Sequence, residues 1–199
     1  MITYDDLTLR YYDQNATAFT ASSIKANMSA VCERFLGLLP AGAYILDLGC
    51  GTGRDSRYFV DRGYRALPVD GSAEMCRIAT ETAGVQAVQK RFEELDFESE
   101  FDGVWACASL LHASREQLPV IMKKVNRALK PSGVAYLSFK YGVNAEIRNG
   151  RFFTDMKEED ISFLCNSETG FDVEEFFITE DVRPDRPGER WLNIYARKI

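Results

Sequence analysis

The sequence predicts a doubly wound α/β fold, in which helices cover both faces of a mostly parallel, seven-stranded sheet that ends in an antiparallel hairpin. Two observations lead to this fold class. Five short strand-like runs alternate with helical segments between residues 43 and 140, which implies right-handed crossovers and a parallel sheet. Near the C-terminus, the runs FDVEEFFITE and RWLNIYARKI have no helix between them, so we expect them to pair antiparallel at the sheet edge.

The elements can be assigned in order along the chain. An amphipathic helix is predicted over residues 23–39, where apolar side chains recur at helical spacing. The predicted strands cover residues 43–48, 64–70, 85–89, 101–109 and 134–140. The predicted helices after the first strand cover residues 54–62, 72–83, 114–129 and about 157–166. Ser72 and Ser114 are the expected N-terminal caps of two helices, and Gly63 and Gly84 are expected C-terminal stops.

Composition limits the classes of protein to consider. The net charge of −6 over 199 residues argues against a nucleic-acid-binding surface over the whole molecule. Five scattered cysteines without a C-x-x-C pair, together with a single histidine, argue against a disulfide framework or a metal site. No apolar run approaches the ~20 residues of a membrane span. The N-terminal residues show no signal-peptide pattern, so a cytoplasmic location is expected.

A glycine-rich loop follows the first predicted strand in the stretch YILDLGCGTGRD. Gly49, Gly51 and Gly53 permit positive φ angles and remove the Cβ that would keep a ligand away from the backbone. The helix that begins near Arg54 would add free N–H groups and a partial positive charge. A tight turn alone is the alternative, but a turn needs fewer glycines. We therefore expect a ligand at the carboxyl end of this strand.

Two aspartates indicate the kind of ligand. Asp70 ends the second predicted strand, where a carboxylate can accept hydrogen bonds from both ribose hydroxyls of an adenosine. The dinucleotide fingerprint G-x-G-x-x-G would need glycine at position 54, which is arginine. Asp47 would repel a pyrophosphate but suits a cofactor that carries an ammonium and a sulfonium group. A nicotinamide-dependent oxidoreductase is therefore the less favoured alternative.

These motifs resemble a known family. The stretch ILDLGCGTGRDS followed by LPVDGSAEM resembles the class I S-adenosylmethionine-dependent methyltransferases, which have a Rossmann-like fold. FDGVWACASLLH and ALKPSGVAYLSFK are similar to later core motifs of that family and occur in the same order. The resemblance covers about residues 40–140, and the motifs GRDSRYF and DGVWACASLLH are similar to those of small tellurite-resistance-type methyltransferases.

The resemblance implies a set of cofactor-binding residues for S-adenosylmethionine. At the methionine end it implies contacts with Asp47 and with the backbone of Gly49, Cys50, Gly51 and Gly53, and it places Ala106 and Cys107 near the transferred methyl group. At the nucleoside end it implies that Asp70 holds the ribose and that Gly71 and Met75 lie beside the adenosine. It also implies that Phe92 and Glu93 contact the adenine. One position departs from the family pattern, because Arg91 stands where an aspartate often contacts the adenine, so Arg91 either replaces that contact or points to solvent.

The aromatic N-terminal stretch YYDQNATAF is a candidate lid. Tyr11, Tyr12 and Phe19 could fold over the cofactor, as the similar YYDxNA start of some family members implies, or they could simply pack against the core. We expect residues 1–199 to form a single domain. Within it, residues 1–39 would be a helical lid, 40–140 the cofactor-binding core, and 141–199 a substrate-side loop, helix and hairpin.

Candidate catalytic and substrate-binding residues lie after the strands. His112 follows the fourth predicted strand, where it could act as a base, orient a substrate or be structural. Cys107 lacks a recognisable base partner, which favours a pocket-lining role over a nucleophilic one. Tyr141, Arg151 and Arg183 could bind a small anionic acceptor, although solvated loop charges are an equally good interpretation.

The predicted activity is methyl transfer from S-adenosylmethionine to a small-molecule nucleophile by in-line displacement. Such an enzyme mainly aligns donor and acceptor and excludes water. Methylation of protein or RNA is an alternative within the class, and a catalytically idle cofactor-binding module is another.

Overall fold

The computed structural model describes residues 3–199, which fold into a seven-stranded sheet flanked by helices and a separate two-stranded hairpin. The strands are β1 (Tyr44–Leu48), β2 (Arg65–Asp70), β3 (Val88–Gln89), β4 (Phe101–Ala106), β5 (Leu129–Lys140), β6 (Ala145–Arg148), β7 (Arg151–Thr154), β8 (Phe171–Glu180) and β9 (Arg190–Lys198). The helices are α1 (Tyr4–Ser23), α2 (Ser29–Leu36), α3 (Arg54–Val60), α4 (Ala73–Ala83), α5 (Leu118–Ala128) and α6 (Ile161–Leu164).

The strand order of the large sheet is β3-β2-β1-β4-β5-β9-β8. Neighbouring strands from β3 to β5 pair in parallel, whereas β9 runs antiparallel to both β5 and β8. This confirms the doubly wound fold with a C-terminal hairpin. The chain order reverses between β1 and β4, so their carboxyl ends form the crevice in which such sheets bind ligands.

The core lies on both faces of the sheet. Leu46 and Leu48 of β1 are fully buried in the cluster that includes the apolar side of α5. On the opposite face, Ile45 packs in a cluster with α2 and α3. Trp105 and Tyr136, from adjacent strands, stack there with ring centroids 4.0 Å apart. Strands that are buried on both faces explain why the predicted strand segments are continuous apolar runs.

Most local signals in the sequence give the expected structure. Ser72 caps α4 by accepting a hydrogen bond from the N–H of Met75, and Gly84 ends the helix with a φ of 71°. Ser114 and Gln117 form a reciprocal pair, because the Gln117 side chain accepts from the Ser114 N–H at 2.8 Å and the Ser114 hydroxyl accepts from the Gln117 N–H at 3.4 Å. The regular helix nevertheless begins only at Leu118, with Gln117 at the N-cap position, so Ser114 closes the turn before α5 and is not the cap of the helix itself.

Two segments differ from the prediction. The helix expected over residues 23–39 is only α2, because the Asn27 side chain accepts a hydrogen bond from the Ser29 N–H at 3.0 Å and so forms a turn ahead of the new helix. The loop expected after β5 contains the β6–β7 hairpin. Its two-residue turn is Asn149-Gly150, with φ angles of 49° and 79°, the left-handed conformation that this dipeptide favours in hairpins.

The long helix α1 runs across the ligand-binding edge. It is capped by Thr3 and kinked at Asn15, whose φ and ψ of −116° and 15° are not helical. The helix contacts both α4 and β7, which lie on opposite sides of the crevice. Within residues 3–199, every helix is too short or too polar to cross a bilayer.

Candidate active site

The glycine loop joins β1 to α3 at the edge of the crevice. Gly49, Gly51 and Gly53 have φ angles of 75°, 53° and 73°. A Cβ on Gly49 would lie 2.3 Å from the Ser109 Cβ, and one on Gly53 would lie 2.8 Å from the Ala79 backbone. Close packing of the protein therefore requires those two glycines. Gly51 also lines the cavity but has room for a side chain, because the nearest atom to an added Cβ would be in the Phe19 ring at 3.7 Å.

Asp70 fixes this loop to the next strand. One carboxylate oxygen accepts from the Gly51 N–H at 2.9 Å, and the other accepts from the Ser72 N–H at 2.9 Å. Burial raises the Asp70 pKa, and these backbone donors oppose the rise. Each carboxylate oxygen has a further lone pair, so Asp70 can also accept from a ligand in the cavity that it lines.

A buried charged network lies beneath the glycine loop. Arg54 forms a bidentate pair with Asp55 at 2.7 and 2.8 Å, and the Trp105 indole N–H donates to Asp55 at 2.9 Å. Asp47 is 3% exposed and accepts from the Ser56 hydroxyl at 2.6 Å. Burial, followed by the charge of Asp55, raises the Asp47 pKa. The site is therefore favourable for a cationic ligand group beside Asp47.

Helix α1 covers the crevice through contacts along its length. A Cβ on Gly71 would lie 2.6 Å from Leu9, and the Arg54 guanidinium donates to the carbonyl of Ser23 at 3.2 Å. Arg91 pairs with Asp6 of the helix at 3.0 Å. The sequence left open whether Arg91 contacts an adenine or solvent. In the structure its guanidinium tethers the N-terminal half of α1, and Arg91 also lines the cavity described below.

His112 and Tyr12 form a hydrogen-bonded pair in the cavity. His112 Nδ1 lies 2.6 Å from the carbonyl oxygen of Phe152, which can only accept, so Nδ1 carries the proton. Nε2 of the neutral ring then accepts from the Tyr12 hydroxyl at 2.8 Å. Burial is the main cause that lowers the His112 pKa to about 4, with the guanidinium groups of Arg151 and Arg148 also lowering it. The ring is thus neutral near pH 7.

The segment after β4 closes the crevice on its other side. Ala108 has a φ of 51°, a strained value for a residue with a Cβ, and its N–H donates to the Ser138 hydroxyl at 2.7 Å. The Ser109 hydroxyl is buried with no hydrogen-bond partner in residues 3–199. Burial raises the pKa of Cys107 to about 12, so its thiol stays protonated near neutral pH. This favours a pocket-lining role for Cys107.

The cavity between these elements has a volume of about 250 Å³. The predicted cofactor-binding residues that line it are Tyr12, Asp47, Gly49, Cys50, Gly51, Asp70, Gly71, Phe92, Glu93 and Cys107, and His112 lines it as well. Gly53, Met75 and Ala106 are buried and lie outside the cavity lining. In the described chain, no group of three His, Cys, Asp or Glu side chains could hold a metal ion.

The three predicted substrate-binding residues occupy different environments. Arg151 and Arg183 line the cavity, which the β8–β9 loop also reaches. Arg183 is neutralised by a bidentate pair with Asp181 at 2.5 and 2.8 Å. Arg151 forms no ion pair within residues 3–199. Tyr141 lies outside this cavity, and its hydroxyl donates to Glu158 at 2.9 Å.

Several cavity residues were not foreseen from the sequence. Asp55 and Ser138 belong to the networks described above, and Asn193 of β9 accepts from the Tyr136 hydroxyl at 2.7 Å. Ser109 could have been found, since it ends the fourth predicted strand at the ligand-binding edge. The others depend on contacts between distant strands, which no local pattern reports.

An open α/β sheet with a glycine loop, an acidic residue at the end of β2 and a covered crevice defines a nucleoside-cofactor-binding protein. Residues 45–133 match the family model described as a methyltransferase domain. YqeM of Bacillus subtilis, which bears a methyltransferase name, is 33% identical over 145 residues, which cover 67% of this chain and 57% of YqeM. The chain spans about half the length of the curated relatives that it matches first.

Solved structures agree with this fold. The 1,6-didemethyltoxoflavin-N1-methyltransferase of Burkholderia thailandensis, with bound 1,6-didemethyltoxoflavin and S-adenosylhomocysteine, has a TM-score of 0.76 and 25% identity and aligns over 98% of this chain and 86% of its own. A TehB-like methyltransferase of Corynebacterium glutamicum has a TM-score of 0.69 at 20% identity over 96% and 98% of the two chains. The chain belongs to the class I S-adenosylmethionine-dependent methyltransferase family.

Proposed function

We propose that this chain transfers a methyl group from S-adenosylmethionine to a small-molecule acceptor. The main observation behind the proposal is that the cavity is covered, because α1 packs over the glycine loop and residues of β7 and of the β8–β9 loop line the opposite side. A polymer would need an open crevice, so this cover argues against an RNA or folded-protein acceptor. The lid role expected for the N-terminal residues fits the same arrangement.

The residues in the crevice suit S-adenosylmethionine chemically. Asp70 has lone pairs for ribose hydroxyls, Asp47 favours a cationic group, and Gly51 lets a ligand approach the backbone. When bound, the cofactor supplies a methyl group on a sulfonium, an electrophile that needs no further activation. The protein would contribute alignment of the acceptor and exclusion of water.

For His112 we propose an orienting role rather than that of a general base. Its lowered pKa makes the neutral ring a weak base, and its Nε2 is already occupied by the Tyr12 hydroxyl. His112 therefore holds Tyr12 at the cavity wall. An acceptor that is already nucleophilic at pH 7 fits this arrangement, since it needs no base.

The nature of the acceptor is part of the proposal. The Burkholderia enzyme binds 1,6-didemethyltoxoflavin, which supports a small molecule here. The charge of Arg151 supports an acceptor with an anionic group. The family match is the reason to prefer methyl transfer to hydride transfer with a nicotinamide. The single-domain organisation and the cytoplasmic location expected from the sequence stay predictions.

The test is to follow the methyl group. The protein is incubated with a cell extract and S-adenosylmethionine that is isotopically labelled in its methyl group, and small molecules are then separated from protein and RNA. We expect label in the small-molecule fraction, and much less with an Asp70→Asn variant. Label in protein or RNA would support the runner-up function. Binding of the cofactor without any labelled product would indicate a catalytically idle module.

A further inference from the structure

A second cavity, of about 330 Å³, lies between the β6–β7 hairpin and the β8–β9 loop. It shares Lys140, Arg151, Phe153 and Arg186 with the first cavity, so the two are adjacent. The sequence-predicted Tyr141 belongs to this second cavity. We call it the outer cavity and use that name below. Arg151 lies at the junction between it and the crevice.

The walls of the outer cavity carry an excess of positive charge. Its charged residues are Lys140, Arg148, Arg151, Asp155, Arg186, Glu189 and Arg190, five cations against two carboxylates. Glu189 is shared between Lys140 and Arg186, and Asp155 pairs with Arg148. Arg190 stacks on the Tyr141 ring at 4.5 Å, and neither it nor Arg151 has a carboxylate within 4.0 Å in the described chain.

Arg151 is held in place without a charged partner. Its guanidinium lies 4.5 Å from the Tyr11 ring centroid and 5.1 Å from that of Phe153. Its Nη1 donates to the Tyr12 hydroxyl at 3.4 Å, while its Nε is buried and has no hydrogen-bond partner in residues 3–199. A buried donor without an acceptor costs free energy. That Nε is out of reach of solvent, but Arg151 lines both cavities and its positive charge has no carboxylate beside it in the described part of the chain, so the charge is available to a ligand there.

A neighbouring lysine reports the same electrostatic environment. Burial lowers the Lys140 pKa to about 8, and the guanidinium groups of Arg186, Arg183 and Arg148 lower it further against the opposing charge of Asp181. Positive charges close enough to disfavour another ammonium group would attract an anion.

We propose that the outer cavity binds the oxyanion group of the methyl acceptor, a carboxylate or a phosphate, with Arg151 as its principal donor. The inference rests on the proposed function, because it takes the ligand to be the acceptor. Arg151 would bind the oxyanion at the junction, so that the rest of the acceptor extends towards the glycine loop. Arg190 would add a second charge at the outer wall. A guanidinium fixed between aromatic rings loses little freedom on binding an anion.

The test uses inorganic phosphate and succinate as probes on the full chain. Thermal unfolding is followed with each anion against chloride at matched ionic strength, with and without S-adenosylhomocysteine. We expect at least one anion to raise the Tm by about 2 °C or more. In Arg151→Gln the apparent dissociation constant of that anion should rise at least about tenfold. Which anion binds distinguishes a carboxylate site from a phosphate site.

Two matched variants separate the loss of this site from a general loss of positive charge or of packing. Arg77→Gln removes a guanidinium that bridges Glu74 and Glu81 on the exposed face of α4, so it should respond to the anions as the wild type does. Arg151→Lys keeps the charge, and we expect it to bind the anion with intermediate affinity. If Arg151→Gln unfolds, the dissociation constant of the anion is measured in Arg151→Lys and Arg190→Gln, and we expect it to rise in both.

The outcomes separate the two proposals. An anion effect equal in the wild type and in the Arg151 variants, or no effect beyond that of chloride, would overturn the oxyanion site. If Arg151 only packed α1 against β7, its variants would lower the Tm equally with and without anion, which would also overturn it. Absence of any S-adenosylhomocysteine effect on the wild type would contradict the proposed function, even where the anion still binds.

Discussion

Replacing Gly51 by alanine adds one methyl group at the wall of the crevice. The residue has a φ of 53°, and the added Cβ would find only the Phe19 ring at 3.7 Å. The protein itself thus has room for the methyl group, so the substitution costs backbone strain but no clash. If the cofactor lies against this backbone, as proposed, the same methyl group occupies part of its place.

The magnitudes follow from these two effects. A residue with a Cβ in the left-handed region costs about 1–2 kcal/mol, which for a domain of this size lowers the Tm by roughly 2–8 °C. Overpacking against a bound ligand costs about 1–3 kcal/mol, so the affinity for S-adenosylhomocysteine should fall by roughly 5- to 150-fold. The unfolding and binding effects are measured separately, by urea titration and by calorimetry.

Two other glycines provide the controls. Gly63 has a φ of 81° and no neighbour within 4 Å of an added Cβ, so Gly63→Ala should show the same strain with unchanged cofactor affinity. Gly53→Ala adds a clash 2.8 Å from the Ala79 backbone and should be the least stable, by about 2–5 kcal/mol. Equal cofactor affinity in Gly51→Ala and Gly63→Ala would refute the placement of the ligand against the loop.

Three further predictions concern the charged and hydrogen-bonded groups. Because the folded His112 pKa is lowered to about 4 from an ordinary value of 6.5, only the unfolded chain takes up this proton as the pH falls below 6.5, and the folded state then loses stability. Between pH 7 and pH 5, the unfolding free energy of the wild type should therefore fall by about 2 kcal/mol more than that of His112→Gln in urea titrations. Equal losses in the two proteins would contradict the lowered pKa. Asp55→Asn leaves Arg54, whose side chain is 23% exposed, without its charged partner and should lower the unfolding free energy by up to about 3–5 kcal/mol, whereas wild-type stability would show that the pair is solvated. Arg91→Gln should change the affinity for S-adenosylhomocysteine by less than about threefold, because the guanidinium pairs with Asp6. A tenfold loss of affinity would instead indicate that Arg91 contacts the adenine.

Local patterns were sufficient to predict most of the fold. The apolar runs, the Ser72 cap and the stop at Gly84 each depend on neighbouring residues, and each is found where the sequence places it. The β6–β7 hairpin was missed although Asn149-Gly150 is a strong turn signal. The short break before α2 was missed because the apolar spacing continues through it, while the turn that the Asn27 side chain makes with the Ser29 N–H interrupts the helix.

The site could be predicted only in part. The glycine loop and Asp70 follow strands of the sheet, so their place at the crevice follows from topology. The pairing of Tyr12 with His112 joins residues 100 positions apart, and the Arg91 contact joins residues 85 apart. Such contacts arise from how α1 packs over the sheet. Neither periodicity nor motif spacing contains that information.

The most direct test of the account is cofactor selectivity in thermal unfolding. A ligand at about 100 times its dissociation constant adds about 2.7 kcal/mol of stability, a rise of roughly 5–11 °C for a domain of this size. We predict such a rise with S-adenosylmethionine and S-adenosylhomocysteine and none with NAD. No rise with the first two ligands, or an equal rise with NAD, would contradict the assignment of the crevice to S-adenosylmethionine.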